Sequence, residues 1–128
     1  MDQQLSILFE PFTLNDVELK NRLVMAPMHT KFASESGAVT DRLTAYLVER
    51  ARGGVGLIVL ENTCIDWQYG RPLGNPVTIH DDMCRSGLSN LPQAVHRHGA
   101  RILTQLHHTG RQNVRSNITG GLPPLAPS

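Results

Sequence analysis

"TDRLTAYLVERARGGVGLIVLE", residues 40–61, passes from a helical period straight into a strand-like run, and that handover decides the fold. Thr40 or Asp41 can accept the orphan amide hydrogens that open a helix. Leu43, Leu47 and Ala51, with Tyr46 beside them, then recur on one helical face, and Gly53 or Gly54 provides the stop. The following "VGLIVLE" (55–61) is almost continuously apolar rather than alternating. A strand with one wet face alternates, whereas a strand covered on both faces does not, as in parallel sheets under helices.

Two more runs of this kind flank it, "RLVMAPM" (22–28) and "ARILTQL" (100–106). A second helical pattern lies between about Asp82 and His98 but is interrupted by Pro92, which removes a backbone donor and crowds the preceding turn. The spacing predicts a loose turn followed by a helix from about Asn90 to His98, with Gly99 as its left-handed stop. The resulting order, β-α-β-α-β with right-handed crossovers, is a parallel α/β unit. Ahead of it, "LFEPFTLNDVELKN" (8–21) places Asn15-Asp16 between two strand-like pieces and reads as a small hairpin. The tail "NITGGLPPLAPS" (117–128) is rich in glycine and proline and supplies no closing helix, so the third strand is expected to be a bare edge.

The composition suits one soluble domain: 128 residues, 40% hydrophobic, 18% charged, formal net charge +1. That charge makes no case for nucleic acid or a membrane surface, and aromatics are too sparse for a stacking platform. Cys64 and Cys84 form no C-x-x-C pair and lie in no activating context, so they read as bystander thiols in a reducing setting. With no signal-like opening and no membrane-length apolar run, the expected location is the cytoplasm.

Ligands of parallel α/β folds gather where the strands end. Three polar segments follow the strand ends and would converge there: "APMHTK" (26–31), "ENTCIDWQYGRP" (61–72) and "QLHHTGRQ" (105–112). Neither G-x-G-x-x-G nor G-x-x-x-x-G-K-[ST] is present, and "GGVG" (53–56) leads from helix to strand, the wrong side for phosphate. Adjacent His107 and His108 would point to opposite faces of an extended chain, which is a poor start for a shared metal ion, so no metal site is expected.

Together these stretches carry a resemblance. "LFEPFTLNDVELKNRLVMAPM" (8–28), "LTAYLVERARGGVGLIVLENT" (43–63) and "AVHRHGARILTQLHHTGR" (94–111), the last with a Q-L-x-H-x-G-R signature, resemble the old yellow enzyme family of FMN-dependent ene reductases, in its order and spacing. "MHTK" (28–31) is similar to the NADH:flavin oxidoreductase, 2,4-dienoyl-CoA and 2-enoate reductase branch. The resemblance implies a (β/α)8 TIM barrel. Residues 1–128 would form the N-terminal part of one FMN-binding barrel domain, with a hairpin segment at 1–20 and the first three β/α units and a loop at 21–128. A whole barrel of this type takes about 250 residues.

The resemblance also implies roles. Ala26, Pro27 and Met28 would lie beside the isoalloxazine ring, and His29 would stand near its carbonyl edge and tune it. Asn62 and Gln105 would approach the pyrimidine edge. His108 is the signature histidine and Arg111 the signature arginine, both expected in the mouth loop over the substrate, while His107 fills a variable position. The implied reaction passes hydride from NADH or NADPH through FMN to an activated C=C bond of an enoate, enone or dienoyl thioester. Nucleic acid and membrane are not expected as partners. The family's proton donor and FMN phosphate site lie on later strands, and an iron–sulfur cluster would belong to a longer parent. The alternative is a non-catalytic half-barrel that needs a complementary chain or a second copy of itself.

Overall fold

The computed structural model describes residues 3–127. The chain runs through a helical turn α1 (Gln3–Ser6), a 3-10 turn (Ile7–Phe9), strands β1 (Phe12–Leu14), β2 (Val17–Leu19) and β3 (Val24–Met25), helix α2 (Asp41–Arg52), β4 (Leu57–Cys64), helix α3 (Arg85–His96) and β5 (Arg101–His107). Short 3-10 turns carry it on to Gly121. Residues 1, 2 and 128, the ends of the expected domain, lie outside the described residues.

β1 and β2 pair antiparallel, with Leu14 opposite Val17. Asn15, at φ 50°, supplies the left-handed residue that so tight a turn needs. β3, β4 and β5 form one parallel sheet in chain order. Met25, Ile58 and Ile102 are register neighbours across it. All three belong to or pack on the core built by Leu43, Leu47 and Ala51 of α2 and Leu91 and Val95 of α3. Both helices therefore cover one face. Val24, Leu57 and Arg101, one residue earlier in the same register, belong to the other.

α2 forms as its sequence requires. The Thr40 hydroxyl accepts the Leu43 amide at 3.2 Å and closes the first turn. Gly54, at φ 103°, takes the backbone out of the last one. The hairpin side of the sheet is tied off by Asn21, a buried polar residue. Its amide donates to the Gly54 carbonyl at 2.7 Å and its carbonyl accepts the Leu23 amide at 3.1 Å. Gly56 has to be glycine there, because a β-carbon would stand 2.5 Å from the Asn21 side-chain oxygen. Lys20 donates to the carbonyl of His98 at 2.8 Å and fastens the hairpin to the end of α3.

Four elements differ in their boundaries from expectation. α3 begins at Arg85 and contains Pro92 in its interior. The proline costs one helical hydrogen bond, about 3 kcal/mol in an exposed helix, but Leu91 and Val95 on either side are fully buried, and their packing holds the helix through it. β3 is two residues long rather than seven, since Pro27 has no N–H to continue a ladder. β4 and β5 each run past their apolar stretches, to Cys64 and His107. Gly99 does take the left-handed conformation, at φ 72°, three residues after α3 ends. Among the described residues no helix is long and apolar enough to cross a membrane.

Candidate functional site

The register between β4 and β5 slips near its polar end. Leu60 pairs with Thr104, but Asn62 pairs with the very next residue, Gln105, so Glu61 is an extra residue in β4. Such a bulge turns the side chains that follow it. Leu60 is on the helix-covered face with the core, so Gln105, one step on along β5, is on the open face, and Asn62 joins it there as its partner. Two amide side chains thus stand side by side at the carboxyl ends of neighbouring strands. His107 follows two residues later on the same face.

The end of β3 completes the edge. Ala26, Met28 and His29 are exposed there and Pro27 is half-buried. Several polar atoms at this end are buried with no hydrogen-bond partner, among them Oδ1 of Asn62, Oε1 of Glu61 and Nε2 of His107. Buried acceptors are rarely left so in a finished site, and they mark where a further group would bond.

His107 and His108 differ in kind. The His107 imidazole is held below its ordinary pKa, first by burial and then by the neighbouring charges of His108 and His29. The unfolded chain therefore takes up a proton before the folded one does, and His107 withdraws stability as the pH falls below about 6.5, the loss growing until the folded ring itself protonates. An NMR titration is expected to give His107 a midpoint below the ordinary imidazole value, moving upward in His29→Ala. A midpoint indifferent to that substitution would contradict the placement of the two rings.

His108 turns away from that cluster. Its Nδ1 accepts the Gly110 amide at 2.9 Å, and its Nε2 lies 3.7 Å from Asp66 Oδ2. The ring rests on Gly70, where a β-carbon would come within 2.4 Å of it. Further bonds join the same two loops: the Thr109 amide to the Gly70 carbonyl at 3.1 Å, and the buried Asn113 amide to the Tyr69 carbonyl at 2.7 Å. Asn117 also donates to Arg71. Within the β4–α3 loop, Trp67 is stacked on His80 with centroids 5.2 Å apart, and Arg71 lies over the same indole at 4.6 Å. His108 is therefore seated in the joint between two mouth loops. Arg111 is exposed on the 3-10 turn that follows.

The thiols are quiet. Cys64 and Cys84 are free and buried, and burial pushes both pKa values up, keeping the sulfurs protonated and unreactive. Among the described residues no group of three His, Cys, Asp or Glu side chains is gathered to hold a metal.

Sequence reasoning passed over Glu61, Thr30, Gly70 and Asn113. For Glu61 a signal was available: a carboxylate directly closing the buried run "LIVLE" (57–61) is an unusual place for a charge. The other three act through contacts distant along the chain and carry no local pattern.

The profile of the NADH:flavin oxidoreductase / NADH oxidase family matches residues 7–120. The chain belongs to this family. It is 46% identical over 121 residues to an NADH oxidase of Thermoanaerobacter brockii, a match covering 94% of this chain and 18% of that enzyme. Among solved structures, an old yellow enzyme from Pichia sp. AKU4542 superposes with a TM-score of 0.86 at 32% identity, over 95% of this chain and 32% of its own. Morphinone reductase in complex with tetrahydroNAD superposes with a TM-score of 0.85 at 31% identity, over 94% of this chain and 32% of its own. The chain thus spans about a third or less of the proteins it matches, and the β3-β4-β5 unit corresponds to part of an old yellow enzyme barrel.

The residues at the open edge fit the flavin that such a family uses. A flavin pyrimidine ring presents a carbonyl, an N–H and a second carbonyl in a row. Gln105 and Asn62 each carry an amide donor and an amide acceptor, so side by side they can meet that row with two donors and one acceptor, and Asn62 Oδ1 is buried without a partner.

Proposed function

We propose that this chain carries one wall of the FMN site of an NAD(P)H-dependent ene reductase, in which Gln105 and Asn62 hold the pyrimidine edge. The observation that carries this reading is the bulge at Glu61, which brings those two amides level at the strand ends. Ala26, Pro27 and Met28 supply backbone and apolar surface beside the ring, and His29, exposed in the segment after β3, biases its electronics. His108, seated on Gly70, and Arg111 shape the loop under which a substrate lies. The redox chemistry such a site hosts is FMN's own, hydride accepted from NADH or NADPH and passed to an activated C=C bond of an enoate, enone or dienoyl thioester.

Two measurements test it. The purified protein is expected to be yellow, with near-stoichiometric flavin absorbance that NADH bleaches without oxygen. His29→Ala is expected to shift the flavin midpoint potential by about 30 mV or more, the equivalent of about 1.4 kcal/mol for a two-electron couple. An unchanged potential removes His29 from the tuning role.

One observation favours a second reading, a non-catalytic part that acts by pairing with a complementary chain or a copy of itself. β5 has a single partner strand among the described residues, and Leu103 and Leu106 on it are 48% and 61% exposed. A strand edge left unpaired beside exposed leucines is a template for association. Colourless, oligomeric protein is the outcome that selects this reading.

A further inference from the structure

Glu61 is a buried ionisable side chain that the flavin reading leaves without a task. It is 2% exposed and sits at the bulge of β4. One of its oxygens, Oε2, accepts both the N–H and the hydroxyl of Thr30, each at 2.6 Å. The same hydroxyl accepts the Phe32 amide at 3.1 Å, and Lys31 between them is held left-handed at φ 60°. The other oxygen, Oε1, is buried and unpartnered, and no cation pairs with Glu61 among the described residues.

A lone buried carboxylate is costly, so its retention calls for something an apolar residue cannot do. Here that is specific. Two short charge-assisted bonds to one residue fix both its backbone and its side chain, and the tight turn at 30–32 closes over them. A β-branched or aliphatic residue at 61 would fill the space but leave the Thr30 amide without an acceptor and the left-handed Lys31 unsupported.

We infer that Glu61 is a positioning residue: by gripping Thr30 it fixes the turn that follows β3, and with it the stance of His29 one residue earlier. This rests on the reading of residues 26–31 as the flavin-bearing edge. The bulge then has two effects at once. It aligns Asn62 with Gln105 on β5, and it frees the side chain before them to reach across and hold the neighbouring loop in step. The two halves of the cofactor edge are registered to each other through a single residue.

The test uses isotope-labelled protein of the same length in four forms, wild type, Glu61→Gln, Glu61→Ala and Thr30→Val, each followed by amide hydrogen exchange, histidine-ring NMR and FMN titration. Glu61→Ala is expected to speed exchange of the Thr30 amide at least about tenfold, to move the His29 ring signals, and to weaken FMN binding about tenfold. Glu61→Gln keeps a carbonyl acceptor and is expected to restore most of the protection. Thr30→Val removes the hydroxyl, with its bonds to Glu61 and the Phe32 amide, and keeps the Thr30 N–H, so it reports on the hydroxyl's share of the turn through the His29 signals if Glu61→Ala does not fold.

Unchanged Thr30 exchange in Glu61→Ala overturns the grip, and unmoved His29 signals in Thr30→Val overturn the part of it that the Thr30 hydroxyl carries. Lost protection with unchanged FMN affinity overturns the positioning role. If wild type binds no FMN, the flavin reading itself fails, and the exchange data still decide whether Glu61 holds the turn.

Discussion

Gln105→Leu is expected to weaken FMN binding about 10- to 100-fold. Leucine keeps the volume of the side chain but removes both its donor and its acceptor, so the flavin edge proposed to meet it would be buried with its polar atoms unpaired. Leaving such groups unsatisfied costs about 1–3 kcal/mol, more than the bond itself contributes on balance, and about 1.4 kcal/mol is a factor of ten in affinity. The neighbouring residue provides the control. Leu106 is one step along β5, on the other face, and 61% exposed, so Leu106→Ala should leave FMN affinity within about twofold. Flavin fluorescence titration of the two variants decides the matter. Equal losses in both would mean that the strand end, not the amide, is what the ligand needs.

Gly70→Ala is expected to lower stability by about 1–3 kcal/mol, the usual range for forcing atoms into a packed position. The added β-carbon would stand 2.4 Å from one ring carbon of His108 and 2.9 Å from another, and the ring cannot simply swing aside. Its Nδ1 is held by the Gly110 amide, and its far side faces Asp66. The clash should therefore depend on the imidazole. In a double-mutant cycle with His108→Ala, urea unfolding should show Gly70→Ala costing much less once the ring is gone, with a coupling of about 1 kcal/mol or more. Additive effects would show that His108 is not seated on Gly70. A positive coupling would explain what the histidine of Q-L-x-H-x-G-R does here: it joins the β4–α3 loop to the loop after β5.

The adjacent histidines show how far residue-by-residue reading reaches. Their opposite directions along an extended strand follow from its twofold period, and the structure places His107 on the open face and His108 in the loop joint. The lowering of the His107 pKa was not legible, because it comes first from burial in the folded chain and then from His108 and from His29, which lies in the segment after β3. Pro92 shows the opposite failure. Its local preference against a helix interior is real, yet the burial of Leu91 and Val95 on either side outweighs it.

Period and punctuation by themselves determined the course of this chain. A capped amphipathic helix ending in glycine, followed by an unalternating apolar run, is the pattern of a helix laid over a buried parallel strand. The strand ends, and so the three segments at which any ligand would gather, follow from that course. The tertiary structure alone decided which residues in those segments meet. Glu61 grips Thr30 from 31 residues away, His108 rests on Gly70, and Asn62 stands level with Gln105 because β4 carries one extra residue. Such contacts depend on strand register and on a single bulge. Register is set by the packing of the whole sheet, and one residue of slip exchanges its two faces, so no local pattern along the chain could have specified them.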